Sequence, residues 1–247
     1  MRGGLFLNQQ GIISGVDGPV LDLWGDIEAA WEFNGDTADS SGFWKDETGN
    51  HHITSDVNPT KQVGVVGDAR GGIGSSQHME TGLFSWAAQD MTIMGWFNPH
   101  SGSGNGWGWF IKFGEDNNWA THHFRILKNE PLSVVYGVLM DTDDAGVVPA
   151  YPAASAGVWM HLTFTYVHAT GTWAAYRNGV PTGDGLVGKH IDSSVGANYK
   201  FHFLYVTNSA YSGGIIDATR WFNRALTPEE AEAHYNGGAG LAYLDTP

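Results

Sequence analysis

Apolar residues recur along this chain in short runs broken by Gly, Asn, Asp and Ser. In HLTFTYV (161–167), Leu162, Phe164 and Tyr166 alternate with His161, Thr163 and Thr165, the period of a strand with two different faces. KFHFLYV (200–206) alternates in the same way. MTIMGWF (91–97) is almost unbroken, which predicts a strand covered on both faces. WGWFIKF (107–113), HHFRIL (122–127), PLSVVYGVLM (131–140) and IIDATRWF (215–222) read as further strands, the last with a carboxylate, Asp217, in its middle. TWAAYRNGV (172–180) carries Asn178-Gly179, the pair favoured by a type I′ hairpin turn. Residues 61–86 are short apolar pieces separated by Gly, and DTDDAGVVPAYPAASAG (141–157) reads as a long loop.

One segment has the helical signature, with both ends marked. Thr227 can cap it, Pro228 suits the first helical position, and Glu230 completes a capping box with Thr227. Asn236-Gly237-Gly238 stops it. Many strands, one helix and no internal repeat predict an all-β protein: a two-sheet antiparallel β-sandwich (jelly roll) with a short C-terminal helix. Residues 1–22 are Gly-rich and lack clear periodicity, so they read as an N-terminal arm, with the jelly-roll domain over 23–247.

Composition narrows the class. The 247 residues include 35 Gly and 11 Trp, which fits tight turns between aromatic strands. With 12 basic and 26 acidic residues the formal charge is −14, which argues against nucleic acid and anionic membranes as partners. The chain has no Cys, so cysteine usage leaves the compartment open. MRGGLFLNQQGIIS does not read as a signal peptide, and no apolar run is long enough for membrane insertion.

Four stretches, AAWEFNGDTADSSG (29–42), MTIMGWFNP (91–99), WMHLTFTYVHATGTWAAYRNGV (159–180) and IDATRWFNRALTPEEAEAHYNGG (216–238), together resemble the laminin-G-like jelly roll of the concanavalin A-like lectin/glucanase superfamily. The resemblance covers about residues 23–244 and leaves the arm outside. It implies two curved antiparallel sheets, with the first and last strands of the domain paired and the helix near that seam. It also implies a binding or adhesive module of the kind found beside catalytic domains, on cell surfaces or on virus particles.

Catalysis has little support. Glycosidases need two carboxylates facing the scissile bond. Glu28 and Glu32 are the one pair spaced along a strand-like segment, with no Asp between them. Lyase-type relatives use Arg, Gln, His and Tyr on facing strands; His123 and Arg125 alternate suitably, with Tyr136 or Tyr205 as partners, but the family's lyase motifs are absent. His51 and His52 point to opposite sides of a strand and would not share a metal.

The resemblance implies one structural Ca²⁺ near the seam. Asn34, Asp36, Asp39 and Ser40 supply the oxygens it favours, and Asp217 reaches them if the end strands pair. The alternative is that Asp217 pairs with Arg220 or Arg177, or accepts backbone hydrogen bonds from the 36–41 loop. Asp141, Asp143 and Asp144 read as a solvated loop. For sugar stacking the candidates are Trp107, Trp109 and Trp119, set among Gly and Asn, with burial in the core as the competing reading.

The expectation is therefore a non-catalytic binding or structural module, at a virion surface or extracellular. In the leading form it is a phage capsid decoration or tail protein, or another assembly protein, docked on a protein partner through residues 1–22, with a homo-oligomer as one such assembly. The alternatives are a carbohydrate-binding lectin or adhesin that holds glycans and, more distantly, a glycan-active hydrolase or lyase.

Overall fold

The alternating segments form strands in the computed structural model, which describes residues 6–7, 12–14, 21–34, 44–57, 59–71, 77–99, 107–115, 123–129, 134–140, 146–151, 155–183, 185–191, 199–204 and 214–243. In chain order the strands are β1 (Phe6–Leu7), β2 (Ile12–Ser14), β3 (Leu21–Asp22), β4 (Ile27–Trp31), β5 (Ile53–Val57), β6 (Thr60–Val63), β7 (Asp68–Gly71), β8 (His78–Thr81) and β9 (Met91–Pro99). They continue as β10 (Trp107–Glu115), β11 (His123–Asn129), β12 (Val134–Met140), β13 (Gly146–Tyr151), β14 (Met160–Val167), β15 (Thr172–Arg177), β16 (Val180–Pro181), β17 (Tyr199–Phe203) and β18 (Gly214–Phe222). Helix α1 (Pro228–Tyr235) follows.

Two antiparallel sheets face each other, as the jelly roll requires. One has seven strands in the order β13-β12-β11-β10-β17-β8-β5. The other has eight, in the order β16-β15-β14-β9-β18-β7-β6, with β4 beside β18. Their inner faces are aromatic: Phe97 meets Phe110 at 5.0 Å between ring centres, Phe124 meets Phe164 at 5.2 Å, and Trp31 meets Phe201 at 5.1 Å. Burial of that surface drives the sandwich together.

Strand alternation sorts the side chains as expected. Leu162, Phe164 and Tyr166 enter the core, while His161, Thr163 and Thr165 lie on the other face. That second face is also buried, because α1 and the chain after it cover the sheet there; hence every residue of β9 is buried. The turn at Asn178-Gly179 has positive φ at both positions, 51° and 76°, the type I′ geometry. Thr227 and Glu230 form the complete capping box, and Asn236 ends α1 in the left-handed conformation.

One expectation is corrected. The stretch 141–157 is not simply loop: β13 forms inside it, at the edge of the seven-stranded sheet. It contains Pro149, which has no N–H to give the ladder. The pairing with β12 skips that residue, and a sheet edge tolerates it. The arm also has structure: β1, β2 and β3 pair as a small meander, and β3 lies against α1.

Candidate functional site

The outer face of the seven-stranded sheet is polar where its inner face is aromatic. Met79, Phe113, Phe124, Phe201 and Phe203 point inward, so alternation turns His78, Glu80, Lys112, Arg125, Lys200 and His202 outward. Four of them stand in register across adjacent strands: Glu80 opposite His202, His202 opposite Lys112, and Lys112 opposite Arg125. Glu80 is the hub at one end of this row. Its Oε1 accepts from His202 Nδ1 at 3.2 Å and its Oε2 accepts from Lys200 Nζ at 3.1 Å. A carboxylate cannot donate, so Nδ1 of His202 carries the proton. The hydrogen bond from His202 is the main reason the Glu80 carboxyl is pushed down to about 2. Burial lowers His202 in spite of that bond. At the other end the Arg125 guanidinium lies 4.1 Å from the centre of the Trp109 ring, and burial lowers its pKa to about 10. The centre of the row is covered; the His78 and Glu80 side chains are 24% and 17% exposed and form its accessible end.

The second polar centre is the seam of β4 and β18. A bulge in β18 sets it up. Ala218 takes a positive φ of 43° and the register against β9 shifts between Asp217 and Arg220. The extra residue lets Asp217 and Arg220, three apart, share the outer face while Ile216 and Trp221 enter the core. Asp217 Oδ2 accepts the backbone N–H groups of Val65 and Val66, both at 2.7 Å, in the turn joining β6 and β7. Asn34 Oδ1 accepts the Asp68 N–H at 2.8 Å from the same turn. Among the described residues the backbone donors that reach Asp217 from another strand connection are those of 65–66, and its carboxylate makes no ion pair with Arg220 or Arg177; the 36–41 loop lies outside them. Burial is the largest influence on Asp217 and pushes its carboxyl up to about 6. Its Oδ1 is buried without a hydrogen-bond partner.

Of the expected metal ligands, then, Asn34 and Asp217 meet on one turn, while Asp36, Asp39 and Ser40 lie outside the described residues. Among the described residues, no group of three or more His, Asp or Glu is placed to hold a metal ion. Of the expected sugar platforms, Trp109 is buried, 4% exposed, with Arg125 stacked on it, so it is not an exposed loop aromatic. Trp107 opens β10 with its side chain outside the described part, and Trp119 and the 141–144 acidic cluster are outside it entirely. The same holds for Tyr205 and for the side chains of His123 and Tyr136.

Glu28 of β4 and Glu32 just beyond it are each held by separate partners. Glu28 binds His51 Nε2 at 2.8 Å and Asn223 Nδ2 at 2.6 Å, whereas Glu32 binds Arg220. His52 Nδ1 accepts the Asp46 N–H at 3.1 Å, so the two adjacent histidines serve separate structural bonds. Sequence reasoning passed over Asp46, which is fully buried and accepts backbone N–H bonds from Ala30, Thr48, Asn50 and His51. DETGN, an Asp followed by turn formers, was the available signal. The row Glu80–His202–Lys112–Arg125 was also missed, because it exists only across strands distant in sequence.

No helix among the described residues is long and apolar enough to cross a membrane. No curated protein matches the sequence. Solved structures do. Domain 4 of AbnA, an extracellular arabinanase from Geobacillus stearothermophilus solved with arabinotriose, superposes with a TM-score of 0.60 at 18% identity, covering 84% of this chain and 97% of that one. The receptor-binding domain of botulinum neurotoxin D gives 0.68 at 12% identity, covering 87% of this chain and 54% of that one. The binding domain of Paraclostridial Mosquitocidal Protein 1 gives 0.63 at 16%, covering 87% and 53%. The chain therefore spans about half the length of these toxin domains, and at such identities the likeness is one of fold. A laminin-G family model described as the concanavalin A-like lectin/glucanases superfamily matches residues 73–232, well over half of the sequence, and the chain belongs to that superfamily.

Proposed function

We propose that this chain is a non-catalytic, lectin-like module that binds a glycan on the outer face of its seven-stranded sheet. The observation that carries the reading is the row Glu80–His202–Lys112–Arg125, in register over four strands on the face turned away from the core. Strand spacing makes such a row about 14 Å wide. Its accessible end offers the Glu80 carboxylate and the Lys200 ammonium, groups that read sugar hydroxyls, while the buried His202 and Lys112 hold the row in place behind them. Ligand would enter at the His78–Glu80–Lys200 end. The arabinotriose bound to the arabinanase domain and the receptor-binding role of the toxin domains support the reading. Hydrolysis is disfavoured on chemical grounds. Glu80 is the only carboxylate in the row and is held ionised, whereas a glycosidase acid needs a raised pKa and a second carboxylate. A glycan array, followed by calorimetry on any hit, tests the proposal. Glu80→Gln and Arg125→Ala should each weaken binding at least tenfold with the fold intact; an array without hits, or unchanged affinity in both variants, overturns it.

A second reading treats the jelly roll (23–247) as the outward part of a virion, such as a phage capsid decoration or tail protein, or of another assembly, docked through residues 1–22. The β1–β2–β3 meander favours it. Among the described residues these strands pair only with one another, outside both sheets of the sandwich, and β3 packs on α1 and the apolar cluster beneath it. Deleting residues 1–20 should abolish incorporation into the assembly, and retained incorporation would end the idea. Calcium belongs to the proposal as well. Asp217 Oδ1 is an oxygen that a cation could take, with Asn34 on the same turn and Asp36, Asp39 and Ser40 as further donors. In either reading the module would act at a virion surface or outside the cell.

A further inference from the structure

We infer that α1 and the residues following it form an acid-released latch over the outer face of the eight-stranded sheet. Beneath α1 lies a small apolar cluster of Leu23, Trp24, Met94, Phe222 and Leu226, separate from the main core and covered by Ala233, Leu241 and Tyr243. A satellite cluster of this size opens at lower free energy than the core between two sheets, so the layer can lift while the sandwich stays folded.

Two imidazoles are sealed inside the layer. His161 of β14 and His234 of α1 are both 0% exposed. His234 donates from Nε2 to the Leu23 carbonyl at 3.1 Å, and its Nδ1 has no partner; neither nitrogen of His161 has one. Trp96 and Tyr235 flank the His161 ring at 5.2 Å and 6.4 Å. The charged and titratable groups around the pair are Arg220 and Asp217 of β18, Glu32 beyond β4, Tyr176 of β15, and Arg224, which pairs with Glu230 of α1; Glu229 acts on Tyr176. A proton on His161 would find no acceptor and would sit in the field of the Arg220 cation.

The imidazoles therefore stay neutral while the layer is closed. Burial, then Arg220, pushes His161 down to about 3 and His234 well below its usual range. Once the layer lifts, both return to about 6.5. The open form then binds more protons, so its share grows as pH falls below that value, by about tenfold per pH unit for each histidine. At pH 4.5 the two together give about 10⁴-fold. Asp217 works in the opposite sense. Its raised pKa favours the closed form on acidification, by about thirtyfold at pH 4.5, so the histidines prevail. Opening would bare Trp24, Met94, Trp96 and Phe222, an apolar face for contact with another surface.

Hydrogen exchange by mass spectrometry on the full chain, from pH 7.5 to 4.5 and corrected for intrinsic rates, reads this directly. Protection of residues 224–243 should fall about a hundredfold or more relative to β9, and the His161→Phe/His234→Gln double variant should abolish that fall, leaving only the opposite, protective trend of Asp217. Protection of 228–235 that ignores pH, or falls only together with β9, overturns the latch. Should the double variant not fold, imidazole proton NMR on the natural chain decides. Two histidines that do not titrate until 228–235 lose protection are expected; every histidine titrating near pH 6.5 with that segment still protected overturns it.

Discussion

Arg220 Nη2 lies 2.6 Å from Glu32 Oε1, with both side chains out of solvent at the seam where β4 meets β18. The pair holds more than two strands. Arg220 also donates to the Leu241 carbonyl, and Glu32 Oε1 accepts the Tyr243 N–H at 3.0 Å, so the tail after α1 is tied to the same point. Removing one partner strands a buried charge. Glu32→Gln should cost about 3 kcal/mol in urea denaturation, while Glu32→Leu combined with Arg220→Met should cost less than Glu32→Gln alone. A single variant of native stability would show that the pair is not needed.

Asp217 makes stability depend on pH in a defined direction. Its carboxyl is raised to about 6 from an ordinary value of 3.8, so the folded state holds the proton more tightly than the unfolded chain. That contribution is complete below pH 3.8 and is lost as pH rises through 6, a change of at most about 3 kcal/mol. Asp217→Asn does not titrate. The difference in stability between natural chain and variant should therefore shift against the natural chain between pH 4 and 7 in denaturant melts. A constant difference would contradict the burial of this group.

Gly64 is a tight fit on the same turn. A methyl group there would sit on Asp217 Oδ2 and Ala69 Cβ. Gly64→Ala should cost about 2 kcal/mol and lower the melting temperature by several degrees, because it pries the turn from its acceptor. An unchanged melting temperature would mean that the Val65 and Val66 bonds contribute little.

Trp109 is packed into the sheet. It is buried beneath Arg125, so Trp109→Ala should destabilise by about 3 kcal/mol or more. Any loss of glycan binding should be shared with Arg125→Ala. Selective loss of binding at full stability would restore Trp109 as a sugar platform.

Calcium is tested by chelation. With Asp217 Oδ1 as a ligand, calcium at a hundred times its dissociation constant should add about 2.7 kcal/mol, and EDTA should remove it. Identical melting curves with calcium and with EDTA would dismiss the metal.

Local signals in the chain determined much of this architecture. The capping box of Thr227 and Glu230, the stop at Asn236, the Asn178-Gly179 turn and the alternation of β14 each rest on interactions within a few residues, so they could be read directly and the structure has them. The same local reading failed at 141–157, where β13 forms at a sheet edge that accommodates Pro149. It recognised that Asp217 needed a partner but not which one. Val65 and Val66 lie about 150 positions away, and a period-two pattern carries no information on register between distant strands.

Only the tertiary structure decided the sites. The row Glu80–His202–Lys112–Arg125 draws on four strands from residues 78 to 203, and no spacing along the chain announces it. Likewise His161 looked like the polar face of a half-exposed strand; docking of α1 turned that face into an interior. Sequence periodicity says which side chains share a face. What covers the face, and so whether a histidine there is solvated or sealed, depends on contacts that close only when the whole chain has folded.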